Sequence, residues 1–127
     1  MESKMRRKFL VVVSCGPDES RKTFTPFQYA AAAASMGFET SMFFVAGAPS
    51  LLRQDIAEAT RATSEGEPLI NAIDLARKAG VRFLCCSVSV KALGNIDEGL
   101  LPAGTQFAGA ATLLEMSADP EVAVLYF

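Results

Sequence analysis

The sequence predicts an α/β domain in which a mostly parallel sheet of four to five strands lies between two layers of helices. Two observations lead to this prediction. Apolar runs of strand length alternate along the chain with segments of helical spacing, in the order strand, helix, strand, helices, strand, helix, strand. The runs are also continuously apolar, which is typical of parallel strands buried on both faces. Such alternation forms three-layer αβα domains through right-handed crossovers.

Length and composition favour a single domain over residues 1–127. Half of the residues are apolar and a fifth are charged, a balance typical of a folded domain rather than a disordered chain. The net charge of −2 argues against nucleic acid as the main partner, because nucleic-acid-binding proteins carry a basic surface. No apolar run has the length of a bilayer span, so we expect no membrane insertion.

Histidine is absent, and this excludes several kinds of site. A Ser-His-Asp triad, a Cys-His pair and a Cys2His2 zinc site are all impossible without it. We expect no metal. The three cysteines lack the spacing of a secreted protein, which favours reduced thiols in the cytoplasm. The turn at 15–20 contains neither a dinucleotide-binding glycine pattern nor a P-loop.

The Val-rich run at 9–15 predicts the first strand. Basic residues precede it at Lys4 to Lys8, so this start also resembles a lipoprotein-type signal. The apolar part, Phe9–Val13, is shorter than the roughly 7–15 residues that such a signal needs. A first strand is therefore the preferred interpretation.

Turn residues mark the elements of the next segment. Thr25 and Pro26 predict the start of an alanine-rich helix that ends at Gly37. Residues 38–46 predict the second strand, and Ser50 is expected to cap a short helical piece after it.

The centre of the chain is less regular. Residues 54–67 predict a mobile loop with one helical turn near 56–60. Pro68 then opens a helix that ends at Gly80, and residues 81–86 predict the third strand.

The last third begins with a loop at 95–104. Thr105 is expected to cap a helix that continues to Met116 and ends at Asp119 and Pro120. Residues 121–127 predict the final strand.

Cys86 is the strongest candidate for chemistry. Functional groups of open α/β sheets gather at the carboxyl ends of the strands, and Cys86 stands where the third strand should end. Ser87 is expected to cap a short helix that Gly94 closes. A thiol at a helix start faces free N–H groups and the positive end of the dipole, which favour the reactive thiolate.

The other two cysteines have simpler explanations. Cys85 lies inside the strand and points to the face opposite Cys86, so we expect an ordinary buried side chain. Cys15 ends the first strand at the same edge of the sheet. It is either a resolving thiol or a small apolar core residue, and the second interpretation is preferred.

Three stretches resemble the DsrE/DsrF-like family. They are the cysteine motif at 80–89 with Leu93 and Gly94, the alanine-rich helix and Phe-Phe strand from Tyr29 to Phe44, and the last helix at 107–116. The resemblance implies a Rossmann-like α/β fold assembled as trimers or hexamers. It also implies that Cys86 bears a persulfide and relays sulfur between donor and acceptor proteins, as a sulfurtransferase-like carrier without a cofactor.

In this relay, the Cys86 thiolate attacks the outer sulfur of a donor persulfide. The hydroxyl of Ser87 or Ser89 is expected to donate a hydrogen bond to the sulfur, and Lys91, about one turn further on, is expected to add positive charge.

Three alternatives remain open at this stage. The first is a non-catalytic oligomeric module that binds a small ligand or a protein. The second is a redox sensor that pairs Cys86 with Cys15. The third is a structural subunit of a mixed assembly. The sequence has no CxxC motif, and this absence weakens the case for a redox sensor.

Overall fold

The computed structural model describes residues 7–127. Its strands all lie in one sheet, in the spatial order fourth, third, second, first, fifth, and every neighbouring pair is parallel. In chain order the strands are β1 (Lys8–Val13), β2 (Glu39–Phe44), β3 (Arg82–Cys86), β4 (Gln106–Ala108) and β5 (Val122–Tyr126). The predicted parallel α/β fold is confirmed.

Five α-helices connect the strands. They are α1 (Phe24–Ser35), α2 (Gln54–Ala59), α3 (Leu69–Lys78), α4 (Ser87–Leu93) and α5 (Ala110–Ala118), with short 3-10 turns at Pro17–Lys22, Ala48–Leu52 and Glu98–Leu100. Within residues 7–127, none of the helices combines the length and the apolar character needed to cross a bilayer.

The strand order decides which helix covers which face. From β1 to β4 the chain steps across the sheet in one direction, so right-handed connections keep α1 and α3 on one face. The return from β4 to β5 crosses the sheet in the opposite direction and brings α5 to the other face. The result is the three-layer arrangement that the sequence predicted.

The first face carries the larger core. α1 and α3 pack together there, and Phe27 of α1 contacts the buried rings of Phe44 and Phe83 on the sheet. The ring centroids of Phe27 and Phe44 lie 5.7 Å apart, and those of Phe44 and Phe83 lie 5.6 Å apart. Burying large aromatic side chains away from water is the main source of stability here.

The second face has a smaller core. Leu10, Val12, Phe43 and Leu84 are buried there, and partly buried side chains of α5 pack over them. No residue of α5 itself is buried, so this layer covers the sheet incompletely.

The predicted start of the last helix was wrong. Thr105 does not cap a helix; Gln106–Ala108 form β4, which pairs with Leu84–Cys86 of β3, and α5 begins only at Ala110. A strand of three residues is too short to show a period, and Gln106, Phe107 and Ala108 fit a helix equally well. Backbone pairing with β3 decides its conformation.

Most other boundaries agree with the predictions within one or two residues. α1 begins at Phe24, one residue before the predicted cap, with Thr23 as its N-cap. Ser50 lies inside a 3-10 turn rather than at a cap, and the turn predicted near 56–60 is part of α2. The run Phe9–Val13 is in β1, whereas the basic residues Lys4 and Arg6 lie outside the described residues.

Candidate functional site

Cys86 lies at the junction that the sequence predicted. It is the last residue of β3 and the N-cap of α4, so Ser87 is the first helical residue rather than the cap. Gly94 closes the helix in the left-handed conformation, with φ 68°. The thiol is free and half-buried, and it packs at the edge of the second-face core. The Cys86 side chain is therefore partly shielded but within reach of solvent.

The surroundings of Cys86 favour its thiolate. Partial burial acts to raise the pKa of the thiol, but the Ser89 hydroxyl and the backbone N–H groups of Ser89 and Val88 outweigh it, so the pKa is lowered from its ordinary value. These groups stand at the first turn of α4, where helical N–H groups have no intrahelical partner. Hydrogen-bond donors that face a sulfur stabilise its negative charge.

The turn after β2 holds the Ser89 hydroxyl in place. The backbone N–H of Ala46 donates a 2.8 Å hydrogen bond to Ser89 Oγ. Ala46 has a φ of 55°, in the left-handed region that non-glycine residues seldom occupy. Because Ser89 Oγ already accepts this bond, its own proton is free to point to the sulfur.

Sequence reasoning missed Ala46. The signal that was available is the position of Ala46 directly before Gly47, at the carboxyl end of a strand that neighbours β3. A positive φ at an alanine leaves no mark in the sequence.

Arg53 joins the turn that follows β2 to the end of α4. Its Nη1 donates a 2.8 Å hydrogen bond to the carbonyl oxygen of Asn95, which follows α4. Its other nitrogens bind both carboxylate oxygens of Asp55, at 3.1 and 2.6 Å, and this pairing lowers the pKa of Asp55. The double contact fixes the guanidinium plane, so the turn after β2 and the end of α4 are held together.

The structure brings Ser89 to Cys86 and leaves the other predicted helpers apart from it. Ser87 and Lys91 are exposed on α4, and within residues 7–127 neither side chain makes a hydrogen bond or an ion pair. Against the effect of burial, the groups that lower the pKa of Cys86 are those of Ser89 and Val88.

Cys15 and Cys85 belong to the other side of the sheet. Both are buried in the first-face core, whereas Cys86 packs on the second face. Burial raises the pKa of the Cys15 thiol, whose Sγ lies 3.7 Å from the Lys22 carbonyl oxygen. Burial together with the charge of Cys86 raises the pKa of Cys85 to about 12. Both thiols are therefore neutral and shielded at ordinary pH, and the sheet stands between Cys15 and Cys86.

No metal centre is formed in the part of the chain that the structure describes, since no three His, Cys, Asp or Glu residues gather closely enough to hold an ion.

The sequence model of the DsrE/DsrF-like family matches residues 7–127. The chain belongs to this family. No curated protein matches it. Among solved structures, this DsrE/DsrF-like chain is similar to the ychN protein from E. coli, with a TM-score of 0.75 and 16% identity over 95% of this chain and 99% of that one.

A second similar structure is MTH1491 from Methanobacterium thermoautotrophicum, a protein of unknown function. It has a TM-score of 0.69 and 17% identity over 94% of this chain and 99% of the other. At these identities the likeness establishes the fold, and the DsrE/DsrF-like protein shares that fold over nearly its whole length.

Proposed function

We propose that this DsrE/DsrF-like protein carries sulfur as a persulfide on Cys86 and relays it between protein thiols, in the manner of a sulfurtransferase. Cys86 itself carries the proposal, because it is a half-buried thiol with a lowered pKa at the carboxyl end of a central strand. Membership of a family of sulfur-relay type supports it.

The first step is a thiol exchange with a donor persulfide. The Cys86 thiolate attacks the outer sulfur of the donor, a new S–S bond forms, and the donor's own S–S bond breaks. Its electron pair leaves with the inner donor sulfur as a thiolate. The outer sulfur is transferred without net oxidation or reduction, so the step needs no cofactor.

The second step repeats this exchange on the acceptor side. An acceptor thiolate attacks the outer sulfur held on Cys86, and Cys86 leaves as a thiolate. The groups that lower the pKa of Cys86 serve both steps, because the same anion is the nucleophile in the first and the leaving group in the second.

Ser89 is the residue that we assign to this anion. Its hydroxyl, together with the backbone N–H groups of Ser89 and Val88, stabilises the sulfur as it ionises. We assign a weaker, electrostatic role to Lys91, which is exposed on the same short helix. Ser87 is exposed beside it and has no direct role at the thiolate in this proposal.

We further propose that the protein acts as a homo-oligomer, a trimer or hexamer, in the cytoplasm. Large apolar side chains stay exposed on and beside the thin second layer, among them Leu114 at 67% and Tyr126 at 69%. A soluble chain seldom leaves such side chains unpaired in clusters, so subunit contacts are the natural use for them. A persulfide carrier also needs a reducing compartment, which suits three unpaired cysteines.

The test is intact-protein mass spectrometry after incubation with a cysteine desulfurase and cysteine. We expect one added sulfur atom on the native protein, and none on Cys86→Ser. The matched control is Cys15→Ser, which removes a buried thiol on the other face and should keep the added sulfur.

Two results would contradict the relay. Added sulfur on Cys86→Ser would place the acceptor elsewhere in the chain. Absence of sulfur on the native protein with every desulfurase tried, while Cys86 still reacts with iodoacetamide, would favour the non-catalytic binding module.

A further inference from the structure

The second face of the sheet contains a cavity that the thiol site does not use. It has a volume of about 330 Å³ and lies between α5 and the strands of the sheet, towards the ends where the strands begin. It exists because α5 is short and buries none of its residues, so it leaves part of this face uncovered. Its volume is within the range of small-molecule sites, roughly 300–1,000 Å³.

The middle of the cavity is apolar. Leu10 and Leu84 form part of its floor on the sheet, and Met116 and Val122 contribute to its walls. Charged side chains stand at the strand starts, with Lys8 on β1 and Arg82 on β3. A ligand that fills this space therefore needs an apolar body and a polar end.

The two cations differ in their partners. Lys8 Nζ lies 3.7 Å from Glu39 and 3.8 Å from Asp119, so its charge is already balanced. Arg82 makes one long hydrogen bond, 3.5 Å from Nη2 to Gln106 Oε1, and within residues 7–127 it has no ion pair. Arg82 is thus the group in the cavity that attracts an anion.

Ser41 supplies a second polar group at the same place. It is only 5% exposed, lines the cavity, and makes no side-chain hydrogen bond among the described residues. Every fully buried polar side-chain atom of residues 7–127 does have a partner, so the Ser41 hydroxyl is reached from the cavity. Ser41 pairs with Arg82 in the sheet register, which places the two residues roughly 4.8 Å apart on one face.

We propose that this cavity binds a small monocarboxylate with an apolar body, held by Arg82 and Ser41 at its charged end and by Leu10, Leu84 and Met116 along its length. A guanidinium and a hydroxyl donor match one carboxylate, because the planar guanidinium binds both of its oxygens. Glu39 and Asp119 at the Lys8 end repel a second negative charge and orient the ligand towards Arg82. This site is separate from the proposed sulfur relay.

The experiment uses the full chain and para-fluorobenzoate, observed by fluorine NMR. We expect saturable binding that Arg82→Gln weakens about tenfold or more, since a hydrogen bond to a charged group contributes roughly 1.5–3 kcal/mol. Ser41→Ala should weaken it roughly two- to tenfold by loss of a hydrogen bond. Arg21→Gln, an exposed arginine that does not line the cavity, should bind as the native protein does.

Three results would contradict this proposal. The first is the absence of saturable binding at millimolar para-fluorobenzoate. The others are equally strong binding of the neutral para-fluorobenzamide, and an affinity of Arg82→Gln for para-fluorobenzoate equal to that of the native protein. Arg82→Lys provides a second variant if the glutamine variant does not fold. It keeps the charge but loses the planar fork, so its affinity should fall below the native value. Cys86→Ser should bind the probe normally, so failure of this site and failure of the relay are separate outcomes.

Discussion

The backbone N–H of Ala46 donates a 2.8 Å hydrogen bond to the hydroxyl oxygen of Ser89, and this bond joins the turn after β2 to α4, the helix that Cys86 caps. The Ser89 hydroxyl is therefore held by Ala46 and at the same time lowers the pKa of the Cys86 thiol. The position of the Ser89 hydroxyl therefore depends on a turn some forty residues earlier in the chain, at a non-glycine residue with a φ of 55°.

Removal of the Ser89 hydroxyl should make Cys86 less reactive. In Ser89→Ala the thiolate loses a donor, so its pKa rises and the rate of alkylation at neutral pH falls. We expect a decrease of roughly two- to tenfold, which corresponds to one hydrogen bond of about 0.5–1.5 kcal/mol. The measurement is the iodoacetamide rate as a function of pH, followed on Cys86 by mass spectrometry.

Ser87→Ala is the matched control for this experiment. It removes a hydroxyl from the same short helix, but Ser87 is exposed and does not shift the pKa of Cys86. Equal rates for the two alanine variants would show that Ser89 has no special effect on the thiolate.

The turn at Ala46 should tolerate glycine and reject a branched residue. Ala46 is exposed and its φ is positive, so Ala46→Val meets backbone strain rather than a clash with the core. We expect a loss of about 1–3 kcal/mol in the free energy of unfolding. In Ala46→Gly, relief of strain offsets the greater flexibility of the unfolded chain, and stability should change by less than about 1 kcal/mol.

Urea unfolding of the two Ala46 variants measures this difference. The valine variant should also show slower alkylation of Cys86, because a shifted turn no longer holds Ser89. A valine variant with native stability and a native alkylation rate would mean that the turn at Ala46 adapts freely.

Local patterns predicted the fold and the position of Cys86, but not the groups that tune the thiol. The glycines at the ends of α1, α3 and α4 all adopt positive φ, and they mark those ends in the sequence. β4 gave no comparable signal, because its conformation comes from pairing with β3.

The same limit applies to the site. The sequence could suggest Ser87, Ser89 and Lys91 equally, since all three follow Cys86 closely. Only the contact from Ala46 separates Ser89 from the other two, and that contact is long-range.

Cys85 should make the protein less stable in alkaline solution. Burial, with the charge of Cys86, raises its pKa from 9.0 to about 12 in the folded protein, whereas the unfolded chain loses this proton near 9. Above pH 9 the unfolded state therefore binds fewer protons than the folded state. The free energy of unfolding falls as pH rises, by at most about 1.4 kcal/mol per pH unit from this group.

Urea midpoints at pH 8, 9 and 10 measure the effect. Cys85→Ala should lose less stability than the native protein across this range, whatever its stability at pH 8. Cys86→Ser serves as the control of opposite sign, because the lowered pKa of Cys86 adds stability as pH rises towards 9. Parallel pH profiles for the native protein and Cys85→Ala would contradict the burial argument.

The exposed apolar side chains of the second layer should form the contacts of the oligomer. Leu114 on α5 and Tyr126 on β5 are both more than half exposed, and Tyr126 pairs with Val12, which faces the second layer. Leu114→Lys together with Tyr126→Lys places two charges on this surface, which disfavours its burial against another subunit. We expect light scattering to show a multiple of the 13.5 kDa chain for the native protein and a smaller species for the double variant. Leu75 is an exposed side chain of α3 in the first layer, so Leu75→Lys should keep the native mass. Loss of the oligomer in this control instead would assign the contacts to the opposite face.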